Sequence, residues 1–266
     1  MRDERNAFDV TPTAAWRGTL EDTRSFLAEA PYRSALFGLP GFKLEYIRPD
    51  FMHTGCLGTT SYLLGSALYS LFKDLGGVQA RPAPVLGRIQ TMGKVMAAQL
   101  RRTWPLSDLT WGMIMGKKKA RLKCTAAEAR HLLPVVAYMC RTVLPLDTPR
   151  RELRANVLDA ANDMYVEMED WKEDSRIRLA SACRRFLALY GMLFQMGADH
   201  PRGWGLYPKF HLLVHICEAA TTNPRLEWCY GDETEIGVAK RFSKLVNVTA
   251  FNTAFIARYV ATTHST

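Results

Sequence analysis

The chain has 266 residues, 48% of them hydrophobic, which is enough for a folded core and excludes wholesale disorder. Its 35 Lys plus Arg against 26 Asp plus Glu give a formal charge of +9, and a positive field of that size favours polyanions: DNA, RNA or an acidic membrane face. No run approaches the ~18 apolar residues needed to cross a bilayer, so no membrane partner is expected.

The first six residues, Met1 to Asn6, are charged and lead into no apolar stretch, unlike a secretory signal. Six cysteines are scattered without a CxxC pair, which fits a reducing, intracellular compartment in which most pack as small apolar groups. The run Lys117-Lys118-Lys119-Ala120-Arg121-Leu122-Lys123 could serve as a nuclear address, so a nuclear location is the expectation.

The expected fold is mainly α with a small β element, in a single domain over 1–266: a mixed segment at 1–58, then helices over 59–266. Along the chain, Thr19 to Ala30 suits a short helix. Phe42 to Arg48 alternates apolar and polar residues and reads as a strand that stops at Pro49. Thr60 to Leu75 is strongly apolar, and Ala83 to Thr103 carries Leu86, Ile89, Met92, Val95, Met96 and Leu100 at helical spacing. Thr125 and Glu128 form a capping box before Leu132, Leu133, Val136 and Met139. Thr148-Pro149 is an N-cap with proline in the first helical position, opening a helix to about Trp171. Helices are expected from Arg176 to Met196, from Tyr207 to Ala220 and from Asp232 to Val246.

Three constellations could carry chemistry. Asp50 and His53, three residues apart after the candidate strand, suit a capped turn with the imidazole packed beside it, or metal binding or proton handling. His211 and His215 share a helix face; the Asp232/Glu235 capping box that follows leaves Glu233 in the first turn with no capping duty. The basic run Lys117, Lys118, Lys119, Arg121 and Lys123, together with Arg101 and Arg102, can grip a phosphate backbone, or be a solvated loop. Trp104 and Trp111 flank that run and suggest base stacking. His53, Cys56, His211, His215 and Cys217 offer a structural zinc as a further possibility. No GxSxG, GxxxxGK[ST] or GxGxxG occurs.

Taken together, three blocks resemble the transposases of CACTA (En/Spm-type) DNA transposons. Asp50-Phe51-Met52-His53 and the Leu/Gly-rich helix after it (Leu63, Leu64, Gly65, Leu68) look like that family's D-x-M-H block. Lys123 to Pro134 resembles its middle block. His211-x-x-x-His215 followed by Trp228-x-Tyr230-x-x-Glu233-x-x-x-Gly237-x-x-Lys240 matches its spacing from tryptophan to lysine.

The resemblance spans about residues 40 to 245. It implies an RNase H-like nuclease of the DDE type with a large helical insertion, in which carboxylates hold Mg2+ or Mn2+ for attack on DNA phosphodiesters. Glu233 would then be the third carboxylate and Asp50 a second metal ligand, with His53 beside them; Trp228 and Lys240 would lie against DNA. The family's first carboxylate belongs on an upstream strand. Asp9 and Asp22 follow no strand, so the N-terminal strands of the nuclease are expected to be lacking. The implied protein is a transposase-derived, DNA-binding remnant of a strand-transfer nuclease, catalytically incomplete unless a longer transposase chain or a second copy completes it. The other reading is a non-catalytic helical module that binds protein or RNA.

Overall fold

The computed structural model describes residues 13–14, 49–116, 119–196 and 203–229. The chain divides into two compact units, Met1–Leu226 and Glu227–Thr266. The expected strand at 42–48 and the helices at 19–30 and 232–246 lie outside the described residues, as do Lys117, Lys118, Glu233 and Lys240.

The first unit is helical. Its order is a π-helical segment Met52–Thr60, α1 Ser61–Asp74, α2 Ala83–Gln99, the single turn α3 Trp111–Ile114, α4 Ala126–Thr142, α5 Pro149–Glu169, α6 Ser175–Met196, α7 Pro208–Ala219 and a 3-10 turn Pro224–Glu227. Among the described residues no strand forms, and the only β feature is the isolated bridge Met115–Ala120. The helical region therefore starts at Met52, ahead of the expected start at residue 59.

The π-helical segment runs into α1 without a break, since Thr60 and Ser61 both hold right-handed helical dihedrals. Its wider coil is tied by side chains that reach back along it: Thr59 Oγ1 donates to Gly55 O at 3.2 Å and Ser61 Oγ to Cys56 O at 3.1 Å. Gly55 also makes room for the Phe51 ring, whose Cε1 lies 2.7 Å from where a Cβ would stand.

Helix α1 is apolar nearly all round, and such a helix must be surrounded. Leu63, Leu64, Leu68, Leu71 and Phe72 are fully buried, and α2, α3 and α4 all pack on it. Helices α5 and α6 form the most extensive pairing, with α4 on the other side of α5 and α7 against α6 and the π-helical segment.

Local signals set most helix ends. Thr125 and Glu128 exchange both bonds of the capping box (3.2 and 2.7 Å), and Thr148 Oγ1 caps Arg151 N at 3.3 Å ahead of Pro149. The carboxyl ends of α1 and α2 close alike. Gly76 (φ 77) and Arg101 (φ 53) take the left-handed conformation, and the next residue bonds back across six residues: Gly77 N to Phe72 O and Arg102 N to Ala97 O, both 2.8 Å. This closure ends α2 at Gln99, short of the expected Thr103.

Candidate nucleic-acid interface

The described part of the basic run is an extended segment docked on α1. Ile114 O accepts from Arg121 N, Met113 O from Lys123 N, and Ser61 O from Leu122 N at 2.9 Å. Side chains of an extended chain alternate. Ala120 and Leu122 are buried, whereas Lys119, Arg121 and Lys123 are exposed on the other side. Close docking needs Gly65: a Cβ there would stand 2.6 Å from Arg121 Cα and from the backbone nitrogens of Arg121 and Leu122.

Two tyrosines hold the cations. Tyr62 of α1 and Tyr207, just ahead of α7, stack with ring centroids 3.8 Å apart and 17° between planes. The Arg121 guanidinium lies over Tyr62 at 5.2 Å and Lys119 Nζ over Tyr207 at 4.5 Å. Each cation–ring contact contributes about 0.5–1 kcal/mol at such exposed sites. The rings are committed to each other and to the cations, so they position charge rather than offer a platform for bases. Arg121 Nη2 also donates to Leu57 O at 3.2 Å.

Lys209, at the start of α7, extends the patch to the π-helical segment. Its Nζ donates to His53 O at 2.8 Å, and its stem passes where a Cβ on Gly58 would be. Burial, then the nearby Arg121 charge, pushes the Lys209 ammonium below its ordinary pKa, with Asp50 opposing. Burial and the neighbouring Tyr62 push the Tyr207 phenol up to about 12, so at neutral pH it stays a donor. Its oxygen is buried with no hydrogen-bond partner among the described residues.

Asp50 stands at the start of the helical rod. Its Oδ2 accepts from His53 N at 2.6 Å and bonds His53 Nδ1 at 2.9 Å, while its carbonyl accepts from Thr54 N. This is the geometry of an aspartate N-cap with the imidazole folded onto it. The expected capped turn is thus present, and it fixes the ring orientation that proton handling would also need.

A two-metal site needs several carboxylates. Asp50 is the one expected metal ligand within the described residues; Glu233 lies outside them. No third His, Cys, Asp or Glu of the described part of the first unit joins Asp50 and His53 at ligand distance. These residues alone therefore do not make up the donor set for Mg2+ or Mn2+, and no catalytic step follows from them.

Arg101 and Arg102 are exposed at the end of α2; Arg102 lies near His131, whose imidazole is pushed below its ordinary pKa by burial, then by Arg130 and Arg102. Trp104 is buried and so offers no stacking platform, whereas Trp111 is half-buried. Trp104 is buried on Gly93 of α2, and Trp111 packs on Phe72 and Tyr69 at 5.1 and 6.0 Å. Trp228, in the second unit, is half-buried.

The zinc grouping does not assemble among the described residues of the first unit. Cys56 is buried and receives the Tyr165 hydroxyl at 3.4 Å, and Cys217 is buried against Cys183. His211 and His215 do share a face, Nε2 to Nε2 2.9 Å apart.

Sequence reasoning missed Tyr62, Tyr207 and Lys209. No local pattern marks them, because their role depends on α7 returning to the start of the rod. Comparison with family models, with curated proteins and with solved structures found no match.

Proposed function

We propose that this protein binds nucleic acid, DNA foremost, along the face built by Lys119, Arg121, Lys123 and Lys209, and that it derives from a CACTA-type transposase. The observation that supports the reading best is the alternation at 119–123. Three cations project from one side of an extended segment at about 6.6–6.8 Å intervals. The inward residues and Gly65 hold that segment to the core, so it is not a loose solvated loop.

Such a face binds by displacing counterions, so affinity falls steeply with salt. The test is fluorescence anisotropy of the purified chain with labelled duplex DNA over a salt series. In K119Q/R121Q/K123Q the slope of log K against log salt should flatten by up to about 2.7, three phosphate contacts at ~0.9 each. An unchanged slope and affinity would remove this face from DNA binding.

The transposase ancestry adds a metal expectation. Asp50 and Glu233 are each expected to act as ligands of Mg2+ or Mn2+, and Trp228 and Lys240 to contact DNA. Glu233→Ala should then weaken Mn2+ binding while far-UV circular dichroism stays the same; unaltered Mn2+ affinity takes Glu233 out of the site.

A further inference from the structure

A second basic site lies away from this face, where α1 ends and α5 begins. A cavity of about 70 Å3 opens there, lined by Lys73, Asp74, Thr148, Arg150, Arg151 and Arg154 among others. That is well above the ~10–15 Å3 one water requires, so the space admits a small tetrahedral oxyanion.

Arg154 is the unusual residue. It is only 2% exposed, yet it is a full cation on an interior helix face. Its Nη1 donates to Asp74 Oδ2 at 2.7 Å. Its Nε and Nη2 are buried and meet no oxygen or nitrogen acceptor among the described residues; the fully buried Cys140 thiol, a weak acceptor, is the guanidinium's other neighbour. Buried donors normally find good acceptors, and a thiol is a weak one, so this guanidinium at a cavity wall is left short of an oxygen acceptor.

Asp74 cannot supply that need. It is shared, with Arg151 Nε 3.7 Å from the same Oδ2, and Arg151 Nη1 also holds Asp147 at 2.8 Å. Lys73 and Arg150 form no ion pair among the described residues. The four cations around the cavity thus outnumber the two carboxylates, Asp74 and Asp147, that answer them. The cavity also faces the first turn of α5, whose dipole favours a negative charge.

We propose that this cavity binds a phosphate group, taken either from free phosphate or from a nucleic-acid backbone, with Arg154 as the buried anchor and Lys73 and Arg150 as the outer clamps. Arginine suits this role because its planar fork presents parallel donors to oxyanions.

The test compares the wild type with K73Q/R150Q, which leaves the Arg154–Asp74 pair in place. Thermal midpoints are measured in sodium phosphate and in sodium chloride at equal ionic strength, and duplex DNA affinity is measured in chloride buffer. A phosphate-specific rise in the wild type that K73Q/R150Q loses supports a site for free phosphate. No rise, but a DNA salt slope flatter by up to about 1.8 in the variant, supports a phosphodiester contact. Equal midpoints in both salts together with an unaltered DNA slope overturn the proposal. K119Q/R121Q/K123Q should keep the phosphate response, which separates failure here from failure of the DNA face.

Discussion

Gly65→Ala tests how the basic segment is held. A methyl group at this position would stand 2.6 Å from Arg121 Cα and from two backbone nitrogens, where ordinary contact begins at 3.4 Å. Backbone has no rotamer with which to yield, so the segment must move out by close to an ångström. The 2.9 Å bond from Leu122 N to Ser61 O would then lengthen beyond hydrogen-bonding range. Losing that bond costs about 1 kcal/mol, and forcing a methyl into a packed contact adds about 1–3 kcal/mol. Alanine returns about 0.5–1 kcal/mol through its helix propensity. The net expectation is a loss of about 1–3 kcal/mol, read as a lower urea midpoint with an unchanged slope. Hydrogen exchange at the Leu122 amide should accelerate, and DNA binding should weaken as Arg121 leaves Tyr62. A variant as stable as the wild type, with Leu122 still protected, would refute the close docking.

Arg101→Gly should raise stability by about 1 kcal/mol in thermal melts, because glycine takes the left-handed conformation at the end of α2 without strain; a lower melting temperature would contradict it. Arg154→Met leaves the partly exposed Asp74 with only the more distant Arg151 and should cost about 1–3 kcal/mol by urea denaturation, with much of that recovered in the Arg154→Met/Asp74→Leu double variant; additive losses would count against the pair. The Cys124 thiol is pushed up from 9.0 to about 12, first by burial and then by Glu128. At pH 8 its thiolate fraction is thus roughly a thousandfold below that of an ordinary cysteine, and iodoacetamide should label it correspondingly slowly. The linked stability is complete below the unfolded thiol's range and falls as pH rises from about 9 to about 12, because only the unfolded thiol ionises readily there. Labelling at the rate of a free thiol would show that the site is open.

Several elements could be read from the sequence because their signals are local. The capping box at Thr125 and Glu128, and the cap and proline at Thr148-Pro149, involve residues three or fewer positions apart, so a short peptide already carries the geometry. The all-round apolar character of α1 announced a surrounded helix, and the absence of CxxC pairs announced buried free cysteines, as Cys56, Cys140, Cys183 and Cys217 are. The charge excess and its concentration at 117–123 were equally open to inspection.

Tertiary structure decided the rest. The π-helical coil of Met52–Thr60 has no amphipathic stripe to signal it; back-reaching hydroxyls and the room at Gly55 and Gly58 support it. The end of α2 depended on Arg101 accepting a left-handed conformation that its residue type disfavours. Trp104 and Trp111 flank the basic run in sequence, but Trp104 turns into the core, where Gly93 leaves a slot, and Trp111 leans half-buried on Phe72. Tyr62 and Tyr207, far apart along the chain, meet only because α7 packs back on the helical rod. Charge is a property of composition, and the sequence alone determined that this protein carries a surplus of it. Where that charge is held, and by which rings and carbonyls, depends on contacts between distant segments that only the folded chain creates.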